Sequence, residues 1–154
     1  MPYVGGVATT VPIALKTVTF TGAAGAGAVG SVALYTVTGR VRINSISAYC
    51  STLLTEALAT STIVCGTTSQ TTRFIANPTG GVTDIDAGEW WTGTTPTAGS
   101  IDMTSGSAGA TDQVAVLVSE NIILTIGGQA CNAGVLEFHV DWTPLSAGAS
   151  VVAA

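Results

Sequence analysis

The sequence predicts an all-β fold, a single-domain antiparallel β-sandwich or jelly roll of about eight to nine short strands. Three observations carry that expectation. Apolar and polar residues alternate with a period of two in several short runs, the signature of strands with one buried face. Thr and Val are abundant, whereas the helix formers Lys, Glu, Gln and Arg are scarce. Gly, Pro and Asn punctuate the runs, and nowhere does a strand pattern alternate with a helical one, as a parallel sheet would require.

Residues 1–15, "MPYVGGVATTVPIAL", contain two prolines and a Gly-Gly pair and read as an N-terminal extended arm. A sandwich domain is expected over residues 16–142. "KTVTFTG" (16–22) and "SVALYTVTG" (31–39) alternate as strands, the second with Val32, Leu34 and Thr36 on one face; the small-residue loop "AAGAGAVG" lies between them. In "RVRINSISAYC" (40–50) the apolar phase changes midway. Val41 and Ile43 are odd-numbered, Ile46, Ala48 and Cys50 even, so a bulge or bend is expected between the two sets. "STLLTEALATS" (51–61) reads as a helical turn or as a loop crossing the top of the sandwich.

"TIVCG" (62–66) and "TTRFIA" (71–76) read as short strands, "NPTGG" (77–81) as a break and "EWWTG" (89–93) as another strand. Residues 94–110 read as loop, with a further strand near residues 100–104. "DQVAVLVS" and "NIILTIGG", separated by Glu120-Asn121, read as a hairpin. "GVLEFHVDW" (134–142) turns Leu136, Phe138, Val140 and Trp142 inward and Glu137, His139 and Asp141 outward. Residues 143–154 read as a C-terminal tail.

The 154 residues suit one domain that buries roughly 70% of its unfolded surface. Charged residues make up only 8% of the chain, against about 25% in an ordinary soluble domain. A surface of Thr, Ala, Ser and Gly is easily desolvated, which favours a protein that works inside an assembly. With net charge −5 and four basic residues, the chain has no means of attracting nucleic acid or anionic lipid. No run of about 20 apolar residues predicts a membrane-spanning helix. "MPYVGGVATTVPIAL" lacks the positive segment of a signal peptide, so synthesis and assembly in the cytoplasm are expected.

Chemistry-bearing candidates are few. "DIDAGEWW" (84–91) has D-x-D-x-G spacing, which makes Asp84 and Asp86 weak candidates for a metal site; no third ligand accompanies them, and an acidic turn is the plainer reading. Glu137, His139 and Asp141 occupy one strand face, about 7 Å apart at successive positions, too far to chelate one zinc ion unaided. A solvated face, or a pH-responsive subunit contact at His139, fits better. Cys50, Cys65 and Cys131 match no zinc pattern and read as buried free thiols, with a Cys50–Cys65 bridge left open. No nucleophile, phosphate-cradling or cofactor motif occurs, so no catalytic residue and no cofactor are expected.

On a strand, Trp90 and Trp91 must point to opposite faces. One of them is expected in the core and the other at a contact, since tryptophan is enriched at interface hot spots.

The blocks "AGAVGSVALYTVTGRVRINSISAYCSTLLTEA", "IDAGEWW" and "FHVDWTPLS" together resemble a group of small virion proteins of tailed bacteriophages, over residues 16–148. The resemblance implies a structural role with no catalytic residues: a capsid decoration (cement) protein, or a tail, neck or head-fibre module. Decoration implies a homo-oligomer, a trimer first of all, bound to the major capsid protein in the virion. The interface candidates are then Tyr3, Val4, Pro12, Ile13, Trp90, Trp91 and His139. A carbohydrate-binding adhesion module, with one tryptophan stacked on a sugar ring, is the alternative from another class.

Overall fold

The computed structural model describes residues 12–56, 58, 60–99 and 116–154. Among the described residues ten strands form two antiparallel sheets: β1 (Ile13–Thr19), β2 (Gly30–Thr38), β3 (Val41–Glu56), β4 (Thr62–Thr67), β5 (Glu89–Trp91), β6 (Thr97–Ala98), β7 (Val116–Val118), β8 (Ile122–Gly127), β9 (Cys131–Pro144) and β10 (Ser150–Ala153). The larger sheet runs β1-β9-β3-β5-β6, with β7 also pairing β3; the smaller runs β10-β2-β8-β4. No α-helix occurs among the described residues, only a 3-10 turn at Gly81–Asp84. The all-β sandwich expected from the alternating pattern is the observed fold.

The inner faces meet in one core. Leu34, Tyr35 and Leu124 of the smaller sheet and Ile46, Phe138 and Trp91 of the larger belong to the same buried cluster. Strand β9 alternates as read, with Leu136, Phe138, Val140 and Trp142 buried and the residues between them half-exposed. The phase change in β3 is a bulge. Ile43 pairs with Trp142 and Ser45 with Asp141, which leaves Asn44 as the extra residue. Its amide then bridges the kink, donating to Asp141 Oδ1 and Thr143 Oγ1 at 3.1 Å each.

Several expectations are corrected. The segment after Cys50 is no helical turn: β3 continues to Glu56, paired with β9 as far as Cys131 and through further register shifts. Its Thr-rich, β-branched composition favours extension, and β9 supplies a partner for its backbone. Thr36 is exposed, because the pairing of β2 with β8 slips between Ala33 and Tyr35 and turns Tyr35 inward instead.

Residues 71–76 form no strand; they meet β4 at the bridge Cys65↔Ile75, where Phe74 N also donates to the Cys65 carbonyl at 2.9 Å. The turn leading into it hugs the β4 edge so closely that a Cβ on Gly66 would lie 2.2 Å from the Gln70 carbonyl oxygen and 2.4 Å from that of Thr71.

The expected hairpin of 112–128 does not form. β7 joins the larger sheet and β8 the smaller, so the chain crosses between sheets at Glu120-Asn121. Both polar side chains anchor that crossing: Glu120 accepts from Ser69 N and Oγ at 2.9 and 2.6 Å, and Asn121 Oδ1 accepts from Val37 N at 3.0 Å.

The C-terminal tail is no tail: Ser150–Ala153 is the β10 edge strand, paired with β2. Pro144 closes β9 and a turn held by Arg40 N donating to Ser146 Oγ, at 3.0 Å, sends the chain back. The expected N-terminal arm is shortened, since Ile13, Ala14 and Leu15 belong to β1. Residues 1–11 of that arm, with Tyr3 and Val4, and the expected strand near 100–104 lie outside the described residues.

Candidate functional site

The outer face of the larger sheet gathers most of the residues singled out in the sequence. Strand register sets two rows across it. Thr17, Glu137, Tyr49, Trp90 and Thr97 stand side by side, each on its own strand. Leu15, His139 and Ser47 form the next row. Neighbours within such rows are in side-chain contact range.

The two tryptophans divide as strand geometry demands. Trp91 is fully buried opposite Ala48, and its Nε1 donates to the Ala76 carbonyl at 3.1 Å. Phe138 flanks Ala48 on the other side and meets Trp91 edge to face at 6.3 Å. The small Ala48 leaves room for both large rings in one row.

Trp90 lies on the outer face, half-exposed. Its indole is 5.1 Å from the Tyr49 ring, tilted by 51°, and 5.5 Å from the His139 ring, tilted by 54°. Ser47, the small residue paired with His139, leaves space for this diagonal contact. Beyond His139 the apolar surface continues to the edge strand, where Leu15 is 61% and Ile13 67% exposed. Pro12 is half-buried and its carbonyl accepts from Trp142 N at 3.2 Å.

The structure thus brings Trp90, His139, Glu137 and Ile13 onto one surface and removes Trp91 from it. Tyr49 and Leu15 complete that surface and were missed as contact residues. Tyr49 was legible: once the phase changes at Asn44, a residue between buried Ala48 and Cys50 must face out.

Asp84 and Asp86 stand in the turn before β5, not in a metal cage. Asp84 closes the 3-10 turn, with Oδ2 3.5 Å from Gly80 N. Glu89 reaches back to accept from Asp86 N at 3.0 Å, while Gly88, at φ +90°, donates its N–H to the Cys50 carbonyl at 2.8 Å. The local roles of these groups are those of an Asx-type turn. Among the described residues, no three His, Cys, Asp or Glu side chains gather as a metal-holding group.

Cys50, Cys65 and Cys131 are buried free thiols, so the Cys50–Cys65 bridge is not formed; the two sit in opposite sheets. Burial pushes all three thiols up, Cys131 to about 11. They are therefore protonated at neutral pH, and a thiol is a poor nucleophile in that form.

Two other surface features stand out. A groove of about 250 Å³ is lined by Arg40, Val41, Leu117, Val118, Ser119 and Leu145, with Leu117 72% exposed. On the opposite flank, β1 and β10 end their sheets side by side, and among the described residues no strand pairs their free edges. No family model, curated protein or solved structure matches the chain.

Proposed function

We propose that the protein is a non-enzymatic structural protein of a virion, a capsid decoration protein that oligomerises, as a trimer in the first instance, and binds the outer surface of the major capsid protein. The observation that carries this reading is the β1/β10 flank, whose outer edges no strand pairs among the described residues. Isolated soluble sheets blunt their edges with charges, prolines or covering loops. Here Ile13, Leu15 and Val152 are exposed on the two edge strands, the last at 57%. The single lysine nearby, Lys16, is engaged with the Ala154 carbonyl oxygen. Edges of this kind accept a strand from a neighbouring chain, which gives main-chain hydrogen bonds with little need for charged side chains.

The chain's low charge and the resemblance of its sequence blocks to small phage virion proteins support the same reading. Both are equally compatible with a tail, neck or head-fibre position. The test is to mix the purified protein with emptied, expanded capsids of the virus that encodes it, and to measure its own mass by sedimentation. Binding to capsids, weakened by Leu15→Asp, is the expected result. A monomer at all concentrations that ignores capsids would overturn the proposal. An oligomer that ignores capsids but joins tails would move the protein to the tail or fibre.

A further inference from the structure

We infer that the outer face around Trp90 is a binding site for a neutral hexopyranose, with the indole as stacking platform and Glu137 as the principal hydrogen-bond acceptor. This inference is independent of where the protein is assembled.

The argument begins with the ring packing. Tyr49 and His139 both meet Trp90 at a tilt of more than 50°, so neither is stacked flat on it. The two rings hold the indole in place, and Trp90 remains half-exposed on the outer face of the larger sheet, one strand in from its β6 edge. A side chain already immobilised loses little entropy when a ligand is laid on it.

The second observation is the set of polar groups around the indole. The Glu137 carboxylate and the hydroxyls of Thr17 and Ser47 make no side-chain hydrogen bond among the described residues. All three lie in the two rows that contain Tyr49, Trp90 and His139. The core of a protein–protein contact is depleted of charged groups, because an unpaired carboxylate is costly to desolvate. A pyranose has the complementary chemistry. Its C–H face covers an aromatic ring, and its rim of hydroxyls donates to a carboxylate and exchanges hydrogen bonds with Ser and Thr. A few polar groups placed beside apolar surface are what fix the orientation of such a ligand.

The third observation is charge. The face carries Glu137 and, one row beyond His139, Asp141. One cation is near: Arg42 reaches Asp141 through Asn44, its Nε donating to Asn44 Oδ1 at 2.9 Å and the Asn44 amide donating to Asp141 Oδ1 at 3.1 Å, whereas Glu137, three rows from Arg42 on β9 and closer to Trp90, has no ion-pair partner among the described residues. The field is therefore acidic at neutral pH, which disfavours sialylated or sulfated sugars and favours neutral ones.

The test is a glycan array of neutral, sialylated and sulfated oligosaccharides probed with the whole chain. Titration of tryptophan emission with the best neutral binder follows. The expected result is binding to neutral hexopyranose-terminated glycans, weakened at least about tenfold by Trp90→Ala and about tenfold by Glu137→Gln. Leu117→Ser, on the other half of β3's flank, should leave affinity unchanged. Urea unfolding midpoints of all variants check the fold. Should Trp90→Ala lower its midpoint, Glu137→Gln decides alone, and full affinity in that variant overturns the inference. Absence of neutral-glycan binding, a preference for anionic glycans, or affinity that survives Trp90→Ala in a stable variant would each overturn it as well.

Discussion

The Tyr35 hydroxyl, carried by the smaller sheet, donates to the Phe138 carbonyl of the larger sheet at 2.9 Å, and it stands 3.2 Å from the Ala14 carbonyl. One phenol thereby ties β2 to both β9 and β1 through the core. Burial pushes its pKa well above the ordinary phenol value. Tyr35→Phe keeps the ring and removes the tie, leaving two carbonyls without that donor. A loss of about 1 kcal/mol in urea unfolding is expected. An unchanged midpoint would show that the hydroxyl contributes nothing net.

Alkaline pH should unfold the protein early. Tyr35, Cys65 and Cys131 all have folded-state pKa values raised by burial, Cys131 to about 11. The unfolded chain therefore releases these protons first. Stability is full below the unfolded thiol value of about 8.5 and falls as pH rises above it. Urea midpoints measured from pH 7 to 10.5 should decline across that window, and Cys131→Ala should flatten the decline relative to its own value at pH 7.

The two tryptophans should respond oppositely to truncation. Trp91→Ala opens a cavity over Ala48 beside Phe138 and is expected to cost about 3–5 kcal/mol. Trp90→Ala, on the outer face, should cost no more than about 1 kcal/mol. Acrylamide quenching gives a second readout: Trp90→Phe should remove the accessible component of emission, and Trp91→Phe should not.

Deleting Asn44 tests the bulge. With that residue gone, either Val41 and Ile43 or the set Ile46, Ala48 and Cys50 must turn to the wrong face. The deletion should prevent cooperative folding. Asn44→Ala keeps the count, loses only the hydrogen bonds to Asp141 and Thr143, and should cost about 1 kcal/mol. Equal effects of the two changes would mean that the side chain, not the extra residue, governs this part of β3.

Much of the sandwich was legible because burial on one face of a strand writes itself into alternate positions. The faces of β9, the phase change at Asn44 and the opposite fates of Trp90 and Trp91 all follow from that period. What was misread had no such local mark. Residues 51–56 carry helix-compatible Leu and Glu beside two β-branched Thr, and the facing length of β9 decides for a strand. Val116–Val118 and Ile122–Gly127 look like a hairpin, but the pattern cannot say that their partners are in different sheets.

The site follows the same division. The amino-acid order by itself determined an all-β chain, a bulge near Asn44, and one tryptophan inside with its neighbour outside, since these depend on spacing along a single strand. Which tryptophan went in was decided by the tertiary structure, through the pairing of β5 against Ala48 and Tyr49. So was the meeting of Tyr49, Trp90 and His139, which come from three strands. Side-chain alternation is local, whereas register and strand order depend on contacts between residues far apart in the chain. "DIDAGEWW" shows both: its turn is written in Asp84, Gly88 and Glu89, and the surface it serves is made by β3 and β9.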